Sequence, residues 1–174
     1  MAEKVKFILL DADVIVHFYR GEQILLLKKL YPNRLKILDK VVNELKGLSM
    51  TKEIINNFLN FRIAEEISFP NDPEIIREYA RLMKEGRDKG ESACMAYLRF
   101  NNHILASSNL KHVQKYCIEN DIELITTMDI LLEIFEKEML SESECDYFIY
   151  NVTSKGSKLP FKTIKEYLIF KKGK

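Results

Sequence analysis

Apolar positions along the chain switch repeatedly between a strand rhythm and a helical one. Residues 5–10 form an apolar run, interrupted only by Lys6, that stops at Asp11, the pattern of a strand buried on both faces. A largely apolar helix is predicted next, in two pieces around Gly21. Residues 35–38 read as a second strand, after which Val41, Leu45 and Leu48 mark one face of a helix ending at Gly47 or just beyond. Thr51 is expected to cap the following helix, in which Ile54, Ile55, Phe58 and Leu59 recur at helical spacing. Residues 64–69 suggest a short strand, and Asp72-Pro73-Glu74 starts a helix. Polar residues 87–90 form a turn before a helix over 91–101. Strands over 103–107 and 122–126 flank a helix over 110–119, and an amphipathic helix over 130–139 follows. Ser141 with Glu144 makes a capping box for one more helix, broken by Gly156-Ser157-Lys158-Leu159-Pro160.

Strands alternating with helices predict an α/β three-layer sandwich, with a central, mostly parallel β-sheet and helices on both faces. Residues 1–138 are expected to form the main domain and residues 139–174 a C-terminal helical extension packed on it. The length, 174 residues, suits one domain with a sizeable core. Net charge is +1, but acids dominate residues 133–146, whereas residues 155–174 carry seven lysines and one acid, Glu166. Such a tail is either a solvated surface or a steering surface for a polyanion. Cys94, Cys117 and Cys145 are too scattered for a disulfide framework, and His17, His103 and His112 show no ligand spacing, so reduced thiols are expected. With no secretory signal and no apolar stretch of membrane length, a cytoplasmic location and no membrane partner are expected.

In a parallel sheet, ligands bind beyond the carboxyl ends of the strands, where Asp11 is placed, with Asp13 two residues on. Asp11 either caps the next helix or serves a site. Glu44 lies three residues after Val41 and four before Leu48, either on the helix's inward side or at its solvated edge. Glu91 precedes Cys94, Met95 and Leu98 by three, four and seven residues, so it extends their apolar face; alternatively it is a favourable charge in a first helical turn. Acids aimed inward from three elements call for a cation, and oxygen ligands suit Mg²⁺ or Mn²⁺.

These landmarks resemble the PIN-domain family, which includes toxin ribonucleases of toxin–antitoxin pairs. The resemblance spans residues 5–160 and rests on the order and spacing of its motifs: Leu9-Leu10-Asp11-Ala12-Asp13-Val14, Val41-Val42-Asn43-Glu44-Leu45, Gly90-Glu91-Ser92-Ala93, Leu105-Ala106-Ser107-Ser108-Asn109-Leu110 and Thr126-Thr127-Met128-Asp129-Ile130-Leu131. It implies a metal-dependent ribonuclease in which Asp11, Glu44 and Glu91 hold Mg²⁺ or Mn²⁺ and one of them accepts a proton from the attacking water. Ser107, Ser108 and Asn109 would line the pocket, with Lys111 and His112 touching the RNA backbone. It also implies an antitoxin partner and a possible homodimer, for which residues 24–30 are the candidate surface if they are not simply core. Two departures stand out. The fourth acidic position holds Ser107, Ser108 and Asn109 with no carboxylate, leaving Asn109 to ligate through its amide oxygen and Asp129 to compensate or merely to cap Thr126. The chain also runs on past Met139 to Lys174.

Two rival readings share these residues. In a PIN-like binding module without catalysis, the same fold holds RNA or a protein. Leu10-Asp11-Ala12-Asp13-Val14 also resembles the first motif of haloacid-dehalogenase-like phosphatases, with Asp11 as nucleophile, Asp13 as acid/base, Ser107 or Ser108 and Lys111 as later motifs, and Asp129 as the late acid.

Overall fold

The most apolar segments lie in the middle of the sheet. The computed structural model describes residues 5–173. Strands β1 (Ile8–Leu10), β2 (Leu35–Leu38), β3 (Glu65–Ile67), β4 (Ile104–Ala106) and β5 (Glu123–Ile125) form one sheet in the order β3-β2-β1-β4-β5. Every adjacent pair is parallel. All residues of β1 and β4 are buried, whereas the edge strands β3 and β5 carry exposed Glu65, Glu66 and Glu123. Charged edges discourage pairing with a second sheet. Ion pairs Lys36–Glu65 and Lys6–Glu123 tie each edge inward.

The helices are α1 (Ala12–Arg20), α2 (Ile24–Leu30), α3 (Asp39–Gly47), α4 (Ser49–Asn60), α5 (Pro73–Lys84), α6 (Lys89–Phe100), α7 (Leu110–Glu119), α8 (Thr127–Glu136), α9 (Glu142–Ser154) and α10 (Ile164–Lys172). The chain moves from β1 through β2 to β3 in one direction and from β4 to β5 in the other, which sends the crossover helices to opposite faces. Helix α1 packs with α4, α8 and α9, while α5 and α7 pack on α6. The predicted α/β sandwich, a central parallel sheet flanked by helices, is therefore what the chain forms. No helix among the described residues is long and apolar enough to cross a membrane. Residues 1–4 and 174, the outer ends of the two predicted segments, lie outside the described residues.

Several predicted boundaries shift, each for a local reason. Strand β1 begins at Ile8, and Val5 is 71% exposed rather than buried. Leu48 is 58% exposed, because its extended backbone separates α3 from α4 instead of completing the inner face of α3. Thr51 is the third residue of α4, and its hydroxyl donates to the Leu45 carbonyl at 2.7 Å, so it joins the two helices and caps neither. Helix α6 starts at Lys89 and takes in Gly90. Helix α8 starts at Thr127, because the Thr126–Asp129 capping box closes its first turn. In α2, Leu27 is buried and Leu25 exposed.

Two polar devices hold the helical layers. Buried Glu78 on α5 accepts from Arg81 at 2.7 Å and from the Tyr116 hydroxyl of α7 at 2.8 Å, and pairs with Arg99 of α6 at 2.8 Å. The Arg81 bond, with Tyr116 and Arg99, holds its carboxyl down at about 2. On the other side, the extension is held together where Ile164 N–H of α10 donates to Asp146 of α9 at 2.8 Å, and it is anchored where α9 presses Phe148 onto α1. A Cβ at Gly21 would lie 2.2 Å from the Phe148 ring, which is fully buried and has no room to swing aside. Gly21→Ala is therefore expected to cost about 1–3 kcal/mol in chemical denaturation, the usual cost of overpacking. Gly47→Ala, where a Cβ meets nothing, is expected to be neutral or mildly stabilising.

Candidate functional site

The direction of winding reverses at β1, which has β2 on one side and β4 on the other. Such a reversal opens a crevice at the carboxyl ends of the two central strands. Asp11 leaves β1 there, and its N–H donates to the Ala106 carbonyl at the end of β4 at 2.9 Å. Residues 107–109 leave β4 beside it, with Ser107 N–H bonded to the Ile125 carbonyl at 3.0 Å. Sheet pairing thus places the first acid and the polar Ser107-Ser108-Asn109 segment together, although 96 residues separate Asp11 from Ser107.

Asp11 is the N-cap of α1 and is also a site residue. One oxygen accepts from Ala12 N–H at 2.8 Å, and the other from the Ser107 hydroxyl at 3.0 Å. Asp13 accepts from Val14 N–H at 2.6 Å and from Ser108 N–H at 2.8 Å. Glu91, in the first turn of α6, is buried as its spacing predicted. Its Oε2 accepts from the Asn109 amide nitrogen at 2.7 Å. Its Oε1 is buried without a hydrogen-bond partner, with Arg87 Nη1 at 3.7 Å and His112 Nδ1 at 3.6 Å, beyond bonding distance.

Glu44 reaches the site through a backbone contact. Its Oε2 accepts from Gly90 N–H at 2.8 Å, tying α3 to the amino end of α6, where a carboxylate is favoured. A Cβ at residue 90 would lie 2.9 Å from that oxygen and 3.1 Å from Val41 Cγ2, so only glycine permits this approach. Glu44 is half-buried and lines a cleft of about 690 Å³ with Lys40, Tyr79 and Lys89.

The electrostatics show how closely these acids are gathered. Burial, and then the charges of Glu91 and Glu44, push the Asp11 carboxyl well above the ordinary range, against the Ala12 and Ser107 bonds. Burial and the Asp11 charge do the same to Asp13. Glu91 is also raised, chiefly by burial, with Asn109 and Arg87 opposing. Cys94, buried on α6, is pushed far up by burial and further by Asp11, Glu44, Glu91 and Asp13 together. Four carboxylates therefore act on one buried thiol. Among the described residues, no three His, Cys, Asp or Glu side chains form a ready-made metal cage. Glu44 is turned onto Gly90, and both Asp11 oxygens are engaged by Ala12 and Ser107. The donor set nevertheless fits a hard cation, since it is all oxygen and leaves Glu91 Oε1 without a hydrogen bond, with only the longer ion pair to Arg87 to offset its charge.

The remaining predicted residues divide. Ser107, Ser108 and Asn109 join the acids, and Asn109 presents its amide nitrogen to Glu91. His112 stands at the rim, its Nδ1 3.1 Å from that amide, whereas Lys111 is exposed and enters none of these bonds among the described residues. Asp129 lies apart. It closes the Thr126 capping box and accepts from the Tyr167 hydroxyl and from Lys171, each at 2.7 Å. It is an anchor for α10, so the late acid that the phosphatase reading needs is already engaged. Sequence reasoning missed Arg87, four residues before Glu91, because residues 87–90 read as a turn. It also missed the closeness that Gly90 permits. No protein-family model matches this chain, and no curated protein matches it.

Crowded acids make a signed prediction. Asp11 and Asp13 bind a proton more tightly folded than unfolded, so their contribution to stability is whole below 3.8 and is lost as pH rises toward about 7. In EDTA, the unfolding temperature is expected to fall across that window, and Mn²⁺ at about pH 8 to restore it by binding only the folded state. Asp11→Asn should flatten both responses. An unfolding temperature indifferent to both pH and Mn²⁺ would contradict this electrostatic picture.

Proposed function

We propose that this chain is a metal-dependent nuclease of the PIN-domain kind, acting on RNA with Mg²⁺ or Mn²⁺. The observation that carries the reading is Glu91 Oε1, a buried carboxylate oxygen with no hydrogen-bond donor, beside Asp11 and Asp13 at the sheet's switch point. Like charges left together in partial burial are costly, and a divalent cation is the simplest group that relieves them. Bound there, the cation would acidify a water and offset charge on the phosphoryl oxygens.

The protein's own groups divide the remaining work. Asp11 and Glu91 would hold the cation, and Asn109 fixes the Glu91 carboxylate by donating to it. Glu44 sets the amino end of α6, and hence Glu91, through Gly90. Asp13, whose carboxyl binds a proton near neutrality, suits acceptance of a proton from the attacking water. Arg87 and His112, at the rim of Glu91, suit contact with a phosphate.

One observation favours a second reading, a binding module with weak or no turnover. The fourth acidic position holds Asn109, which turns a donor rather than an oxygen toward Glu91. Cleavage of single-stranded RNA in Mn²⁺, Mg²⁺ or EDTA separates the two. Wild type is expected to cut only with metal, and Asp11→Asn and Glu91→Gln to lose at least about a hundredfold, as for loss of a ligand of the catalytic ion. Binding without cleavage would support the second reading, and cutting that ignores EDTA and both substitutions would contradict the site.

A further inference from the structure

The aromatic residues of the C-terminal extension have no role in the acidic site, yet they gather next to it. Phe161, Tyr167 and Phe170 pack ring against ring, with centroids 5.1 to 6.0 Å apart. They form one wall of a groove of about 520 Å³ whose other wall is the open edge of β5 and helix α7, with Leu124, Ile118 and Gln114. Ser108 also lines this groove, and its N–H donates to Asp13. The groove and the acid cluster therefore meet at one residue.

The wall is held rigid. The Tyr167 hydroxyl and Lys171 both bond Asp129, which is itself fixed in the capping box of α8. Phe170 stays 41% exposed, and Lys171, the one lysine lining the groove, is paired with Asp129. Aromatic side chains lining a groove are one of the ways single-stranded nucleic acids are held, each base stacking on a ring. A groove of this volume lies within the range of ordinary small-ligand sites.

We propose that this groove takes one unstacked nucleobase of a single-stranded RNA whose neighbouring phosphate lies at Asp11 and Asp13. The proposal rests on the nuclease reading for where the phosphate lies. It goes further in giving the extension a task, that of gripping the base beside the scissile bond. Such a grip would confine the protein to single strands, since a paired base cannot enter.

Binding of a labelled single-stranded RNA oligonucleotide in EDTA, compared with an abasic oligonucleotide of equal length, tests the groove without cleavage. Wild type is expected to prefer the base-bearing strand by about tenfold. Phe170→Ala should erase that preference and Phe170→Tyr keep it. If Phe170→Ala fails to fold, Ile118→Glu, at an exposed position on the rim, should erase the preference by placing a carboxylate in the groove. Equal affinity for both strands, or a preference that survives Phe170→Ala, overturns the proposal. So does a dimer that Phe170→Ala converts to monomer, which would assign the groove to a second copy. Metal-dependent cleavage by wild type alongside an absent preference would sink the groove and leave the nuclease reading standing. A preference without cleavage would do the reverse.

Discussion

Carboxylates that share a poorly hydrated crevice repel one another and lose water, and both effects favour the neutral form. Asp11, Asp13 and Glu91 are all shifted upward, with burial the largest cause and neighbouring acids adding to it. A fold can maintain such a cluster only by supplying donors or a cation. Here the donors are supplied in part: Ala12, Val14 and Ser108 offer backbone N–H groups, and Ser107 and Asn109 offer side chains. Glu91 Oε1 receives none. The shortfall at that oxygen is what makes the cluster a candidate site rather than a satisfied network.

The rest of the structure can be understood as what keeps these acids where they are. Parallel pairing of β1 with β4 aligns Leu10 with Ala106, so the segments that follow both strands leave the sheet side by side. Helix α6 delivers Glu91, and its height is set by Glu44 through the gap that Gly90 leaves. Glu78 of α5 joins α7 through the Tyr116 hydroxyl and α6 through Arg99, so α6 is held near its end as well as at its start. On the far side, Asp129 pins α10, and with it the aromatic wall that borders the acids.

Much of the fold is legible in the sequence, because periodicity records which positions are buried. Residues 35–38 and 110–119 match the observed elements at both ends. Asp72 caps α5 through Glu74 and Ile75, as Asp-Pro-Glu implied. The inward placement of Glu91 was also readable, since Cys94, Met95 and Leu98 of its stripe are all buried. Errors arose where an apolar side chain had no partner to meet. Leu48 continued the spacing of Val41 and Leu45 but fell on the junction between two helices. Glu44 nevertheless points toward the site, for a reason the stripe did not contain: a glycine 46 residues away leaves room for its carboxylate. Contacts between distant backbone and side-chain atoms leave no period, so Gly90, Arg87 and the anchoring role of Asp129 became visible only in three dimensions.

The central claim is that Asp11 and Glu91 share one divalent cation, and a crystal grown with Mn²⁺ and recorded at an anomalous wavelength addresses it directly. A single manganese peak between the two carboxylates, with Glu91 Oε1 as a ligand, is the predicted result. Full manganese occupancy elsewhere on the molecule, with Glu91 Oε1 still unliganded, would contradict it.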